Sequence, residues 1–242
     1  MDTTIALITG GNRGLGLATA RALSDAGVTT IIGSRDIAAG KAAAATIGGR
    51  TEAIALDVTS DESVAAAAAV LRDRHGRLDL LVNNAGVLPE ATADPGEAVD
   101  LALFAETYAV NVMGPVRVLE AFLPLLRLSP AGRVVNVSSR MGSLHDQQDP
   151  SSPYVGMALP AYQSSKTALN GVTVALAKAL AGSTISVTSV CPGFCQTELT
   201  PINQDEAPRT VEEGAATIVA AALRRGEVGA GEFLDQDGLV PW

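Results

Sequence analysis

Ile5-Ala6-Leu7-Ile8-Thr9-Gly10-Gly11-Asn12-Arg13-Gly14-Leu15-Gly16-Leu17-Ala18-Thr19-Ala20 decides how the rest of the chain is read. Its four apolar residues form a short buried-strand candidate. A glycine-rich turn follows and runs straight into an Ala-rich stretch that reads as a helix over residues 15–26. Such a turn is an anion site: missing side chains let a pyrophosphate approach the backbone, while free N–H groups and the positive end of the helix dipole face it. The spacing Gly10, Gly14, Gly16 differs from the common dinucleotide pattern G-x-G-x-x-G.

Outward from this turn the same alternation repeats. Strand candidates follow at residues 29–32, 52–56, 78–82, 133–137, 185–190 and 232–234, about seven in all. Helices read at 37–47, 61–75, 98–126, 161–181 and 211–224. Strand then helix, repeated, predicts the α/β class: a Rossmann-type doubly wound parallel sheet with helices on both faces, over a single domain spanning residues 1–242. The polar, Pro-containing stretches 142–160 and 194–209 read as loops, and loops after the strands of such a sheet are where ligands bind.

Composition narrows the function classes. The 242 residues carry 17 Lys+Arg against 26 Asp+Glu, a net charge of −9, which argues against a nucleic-acid surface. Hydrophobic residues at 47% and charged residues at 18% suit a large packed core. The two cysteines, Cys191 and Cys195, make neither a disulfide scaffold nor a zinc site and read as packed, reduced thiols. The first residues lack a basic segment before a long apolar run, so the expectation is a cytoplasmic protein with no membrane partner.

Five further motifs stand in order along the chain. Asn83-Asn84-Ala85-Gly86 follows the fourth strand, Asn111 lies in the long fourth helix and Ser139 closes the fifth strand. Tyr162-Gln163-Ser164-Ser165-Lys166 comes next, and Pro192-Gly193-Phe194-Cys195-Gln196-Thr197 follows the sixth strand. With the turn at Gly10 to Gly16 they resemble the short-chain dehydrogenase/reductase family, of the single-domain TGxxxGxG/YxxxK, carbonyl-reductase-like type. The resemblance implies an NAD(P)-dependent oxidoreductase that interconverts a carbonyl and an alcohol by hydride transfer.

It also implies residue roles. Gly10, Asn12, Gly14, Leu15 and Gly16 would hold the cofactor's diphosphate end, with Arg13 inside the turn a second cation where NADP-preferring members often carry one; Asp57 and Val58 would meet the adenine; Asn84, Ala85 and Gly86 would lie against the cofactor. Pro192, Gly193 and Thr197 would close over the nicotinamide end, Thr197 bonding either its carboxamide or the diphosphate. At the end of the second strand, where an acid would select NAD(H), Ser34 and Arg35 stand instead, and a hydroxyl with a guanidinium suits the 2′-phosphate of NADP(H). Asp36 is the counter-signal.

Tyr162 and Lys166, four apart on a helix, share a face. An ammonium beside the phenol favours phenolate and should lower its pKa, fitting Tyr162 to act as general acid in reduction and general base in oxidation. The family resemblance gives Lys166 a second role on the nicotinamide ribose, Ser139 a hydrogen bond to the substrate oxygen, and Asn111 a water leading from the lysine to solvent. Ser139 rather than Ser138 is chosen because Gly142 stands three residues later. No metal site is expected. The 23 residues from Ser139 to Tyr162 exceed the usual family gap and predict a lid or pocket wall, and lone His145 within it reads as structural or solvated. The tail, residues 231–242, edges either the pocket or an interface. The expected partner is a small, neutral aldehyde, ketone or alcohol, with a homodimer, homotetramer or monomer all open. The alternative is a non-catalytic NADP(H) sensor or scaffold.

Overall fold

A computed structural model describes residues 3–93, 99–224 and 231–242. Its strands are β1 (Ile5–Thr9), β2 (Thr29–Ser34), β3 (Thr51–Ala55), β4 (Leu80–Asn83), β5 (Gly132–Val137), β6 (Ile185–Val190), β7 (Phe233–Asp235) and β8 (Gly238–Leu239). Together they form one sheet in the order β3-β2-β1-β4-β5-β6-β7-β8. Every pairing is parallel except the last, where β8 turns back on β7 with Leu234 opposite Leu239. The sequence reading of about seven strands omitted β8, which is only two residues long and has no apolar run to mark it.

The period-2 side-chain alternation of β1 builds both layers of the core. Ile5 and Leu7 pack with α3 (Asp61–His75) and α5 (Gly114–Leu126) through Leu71, Val118 and Phe122. Ala6 and Ile8 face the other way, onto α1 (Gly14–Asp25), α2 (Ile37–Ile47) and α9 (Val211–Leu223) through Leu23, Ala43 and Ile218. The helix expected over 98–126 begins at Leu101 instead; Ala98 lies outside the described residues. Asp100 caps the start of α4 (Leu101–Tyr108), its carboxylate accepting from Ala102 N at 2.8 Å and Leu103 N at 3.2 Å.

Between α4 and α5 the helix widens into a π turn over Ala109–Met113, centred on Asn111. Pro115 gives the reason: it has no N–H for the α-helical bond to the Asn111 carbonyl four residues back. The joined helix Leu101–Leu126 is long and apolar enough to cross a bilayer by length and composition, yet half of it is buried within the fold. Both stretches read as loops contain short helices, α6 (Leu144–Gln148) and α8 (Pro201–Glu206), besides the long α7 (Pro160–Ala179) that follows the first. Ser143 and Thr200 cap them through side-chain bonds to Asp146 N and Asn203 N, signals that are present in the sequence.

Candidate active site

The strand order reverses between β1 and β4, and a cleft of about 920 Å³ opens at their carboxyl ends. Asn84 locks the two strands together there. Its backbone N–H donates to Thr9 Oγ1 at 3.0 Å, and its Nδ2 donates to the carbonyls of Thr9 at 2.9 Å and Gly10 at 3.2 Å. A Cβ on Gly16 would stand 2.5 Å from that Nδ2 and closer still to the Gly10 oxygen, so glycine is required for α1 to start so near the turn. Thr197 lies over the start of α1, with its Cβ 3.8 Å from where a Gly14 Cβ would be. Of the two contacts left open for Thr197, this placement favours the diphosphate.

At the far end of the cleft, Asp36 has a different task from the one feared. Its carboxylate caps α2, accepting from Ala38 N at 2.8 Å and Ala39 N at 3.1 Å. The buried Ser34 lines the cleft, but its hydroxyl donates to the Asp36 carbonyl at 2.7 Å, so the proton expected for a phosphate is already engaged. Arg35 is exposed and has no hydrogen-bond partner among the described residues, though its charge helps hold the Asp57 pKa down. The larger cause is local: Asp57 accepts from Thr59 N at 2.9 Å and Thr59 Oγ1 at 2.7 Å. Arg13 pairs with Glu198 at 3.2 Å, both side chains mostly exposed, a contact the sequence gives no sign of.

The reactive end is built by β5 and α7. A Cβ on Gly142 would press to 2.7 Å from Lys166 Cβ and backbone carbon, so the glycine that marked Ser139 also lets α7 lie against the turn Arg140–Gly142. Tyr162 and Lys166 project from α7 into the cleft, 7% and 5% exposed, with Lys166 Nζ 5.6 Å from the phenol ring centre. Ser139 lines the same end and accepts from Met141 N at 3.2 Å. Beside it the buried Ser138 hydroxyl lines the cleft without a partner.

The phenol's acidity runs opposite to the expectation. Burial pushes the Tyr162 pKa up, Cys191 adds to the shift, and only the hydrogen bond with Ser139 opposes it. The Lys166 ammonium stands over the ring and donates to the Val137 carbonyl at 2.9 Å, and burial outweighs it. Burial brings Lys166 itself down to about 8, with Cys191 partly opposing. Neither cysteine is activated: burial raises both, Cys195 to about 11.

Asn111 is the one expected site residue that does not line the cleft. Its Oδ1 accepts from Val87 N at 2.9 Å, and its Nδ2 donates to Val87 O at 3.0 Å and Ser165 Oγ at 3.2 Å. The side chain is therefore engaged with Val87 and Ser165 rather than free to hold a water beside Lys166. Gly10, Asn12, Arg13, Gly14, Leu15, Gly16, Ser34, Arg35, Asp57, Val58, Asn84, Ala85, Gly86, Pro192, Gly193 and Thr197 all line the cleft with Ser139, Tyr162 and Lys166.

The long segment after Ser139 does wall the cleft, through Met141 at its start and Pro153, Tyr154, Met157 and Leu159 in its second half rather than through residues 142–152. The first half is a brace. Arg140 holds the buried Asp146 through two bonds of 2.6 and 3.0 Å and reaches Asp235 at 3.3 Å. The tail joins it: Ser143 Oγ donates to Pro241 O at 2.7 Å, His145 N to Trp242 O at 3.1 Å, and Trp242 stacks on Phe233. His145 is exposed and outside the cleft. Away from the nucleotide end the wall is mostly apolar, with Leu88, Met157, Leu159, Phe194, Leu199 and Ile202, and the uncharged polar Tyr154, Thr200 and Asn203 beside them.

A family model described as short chain dehydrogenase matches residues 4–207. The chain is 35% identical over 227 residues to the short-chain dehydrogenase anuI of Penicillium roqueforti, covering 90% of this chain and 88% of that protein. It is 31% identical over 274 residues to (+)-neomenthol dehydrogenase of Arabidopsis thaliana, covering 90% of each. Among solved structures, the NADPH-bound carbonyl reductase from chicken fatty liver superposes with a TM-score of 0.86 at 25% identity over the whole of both chains. Salutaridine reductase from Papaver somniferum superposes with a TM-score of 0.80 at 27% identity, over 95% of this chain and 99% of that one.

Proposed function

This chain belongs to the short-chain dehydrogenase/reductase family, and from that premise we propose that it reduces a small, uncharged ketone or aldehyde with NADPH, Tyr162 supplying the proton. As a family member it is an oxidoreductase of carbonyl and alcohol substrates. The observation that carries the finer reading is the meeting of Ser139, Tyr162 and Lys166 in the cleft that begins at the glycine turn.

The residues fit a nicotinamide dinucleotide. The glycine turn and Thr197 offer a diphosphate seat at the start of α1, which a Cβ on Gly16 would push away from the turn, and Asp57 keeps an ionised carboxylate for the adenine amine. Arg35 and Arg13 supply positive charge for a 2′-phosphate, while Asp36, occupied as a helix cap, does not oppose it. Lys166 would bond the nicotinamide ribose, with Asn84, Ala85, Gly86, Pro192 and Gly193 as walls. When bound, the cofactor donates or accepts the hydride.

What the chain's own groups do follows from their charge states. With its pKa raised, Tyr162 holds its proton at neutral pH and can give it to a carbonyl oxygen. Ser139 orients that oxygen and stabilises the charge growing on it. Lys166, brought down to about 8, is mostly protonated at pH 7 and is the buried proton source nearest the phenol. This state serves reduction more directly than oxidation. The apolar wall beyond the trio offers no counter-charge for a carboxylate or phosphate on the substrate.

A panel of uncharged ketones and aldehydes, with NADPH and NADH consumption followed in parallel, tests the reading. NADPH-dependent turnover of at least one apolar ketone is expected. NADPH binding with no turnover across the panel would instead support the sensor alternative, and no nicotinamide binding would remove both.

A further inference from the structure

We propose that Glu90 is a positioning residue for Tyr162, closing the N-terminus of α7 and fixing where the phenol stands; the inference rests on the hydride-transfer reading above. Helix α7 starts without a cap of its own. Its N-cap is Leu159, which has no side-chain acceptor, and its first residue is Pro160, which has no N–H. The next two donors belong to Ala161 and Tyr162, and both go to a carboxylate 71 and 72 positions earlier in sequence. Glu90 Oε1 accepts from Ala161 N at 2.9 Å and Oε2 from Tyr162 N at 2.7 Å. Gln163 completes the end, its N–H reaching Leu159 O and its Oε1 accepting from Leu159 N, each at 2.8 Å.

The clamp belongs to a closed circuit around the Tyr162 backbone. On the carbonyl side, Ser165 Oγ donates to Tyr162 O at 2.7 Å and accepts from Asn111 Nδ2. Asn111 holds both backbone groups of Val87, and Val87 leads through Leu88 and Pro89 back to Glu90. Thus the N–H and the carbonyl of the proton donor are wired to one loop, and that loop's Val87, Leu88 and Ala91 line the cleft. Substrate wall and phenol share a frame. Glu90 itself does not line the cleft, so it acts through Tyr162 rather than on the substrate. A negative carboxylate at the positive end of the helix is also the favourable charge arrangement.

Proton transfer tolerates little displacement, so loosening this frame should show in kcat before it shows in binding. Glu90→Ala and Glu90→Gln are compared with the wild-type chain, with kcat expressed per NADPH-binding site to remove any unfolded fraction. For Glu90→Ala, kcat per site should fall about 10- to 100-fold while NADPH affinity stays within about twofold. Added acetate, a free carboxylate, should restore part of that loss in a saturable way. Glu90→Gln, keeping one acceptor oxygen, should fall between the two and serves as the sole criterion if the alanine variant does not fold. Unchanged kcat per site, or kcat and NADPH affinity falling together, would overturn the assignment. A wild-type chain that binds NADPH but turns over no carbonyl would overturn the hydride-transfer reading, and this inference with it.

Discussion

Single side chains decide cofactor choice and proton delivery. Arg35 and Asp36 are adjacent charges of opposite sign, and sequence alone leaves open which one faces the nucleotide. The structure separates them: Asp36 is turned back onto α2, while Arg35 remains uncommitted beside Asp57. Arg35→Asp should therefore move the ratio of NADPH to NADH efficiency toward NADH by about tenfold or more, since a charge-assisted phosphate contact becomes a repulsion. Steady-state kcat/KM with each cofactor reads this, and an unchanged ratio would place the phosphate contact elsewhere. Tyr162 shows the limit of reading residues by type. Spacing put an amine one turn from the phenol, but only the fold reveals that the amine bonds Val137 and that burial, which raises a phenol's pKa, prevails.

At the scale of elements, what was legible in the sequence was whatever has a short-range signature. The glycine turn, the strand-end Asn84-Ala85-Gly86 and the Tyr162–Lys166 pair each sit on the expected element, because their geometry needs particular residues at fixed spacing. The π turn at Asn111 was missed although Pro115 signals it, and α6 and α8 were missed although Ser143 and Thr200 cap them. Contacts that cross the chain have no such signature. Neither the Glu90 clamp on α7 nor the reach of Arg140 to Asp235 on β7 can be found from spacing, since their partners lie 71 or more and 95 residues away. The brace carries its own prediction. Arg140→Met leaves the buried Asp146 carboxylate without its bidentate partner and should cost about 2–3 kcal/mol. Thermal denaturation should show that as a fall of roughly 5–10 °C. An unchanged midpoint would mean that Asp146 is protonated or otherwise satisfied.

For the molecule as a whole, the central strands carry the function to one edge: reversal of order between β1 and β4 opens the cleft, and the buried trio closes its end. Burying an amine there has a consequence for global stability. Lys166 titrates near 8 in the folded chain against an ordinary 10.5, so between those values the unfolded chain binds the extra proton and stability rises with pH. Below pH 8 the penalty is fully present. Denaturation of wild type and Lys166→Met without added nucleotide should therefore show the wild type gaining up to ~3 kcal/mol on the variant from pH 7 to 10.5. A flat difference would mean the ammonium is better solvated than its burial implies. The central claim, that Tyr162 delivers the proton during NADPH-dependent carbonyl reduction, is tested most directly by one comparison. Wild type and Tyr162→Phe are given the same uncharged ketone, with NADPH oxidation and NADPH binding both measured. The variant should bind NADPH as wild type does and lose about 10²- to 10⁴-fold in kcat. A variant that turns over at the wild-type rate would contradict the account.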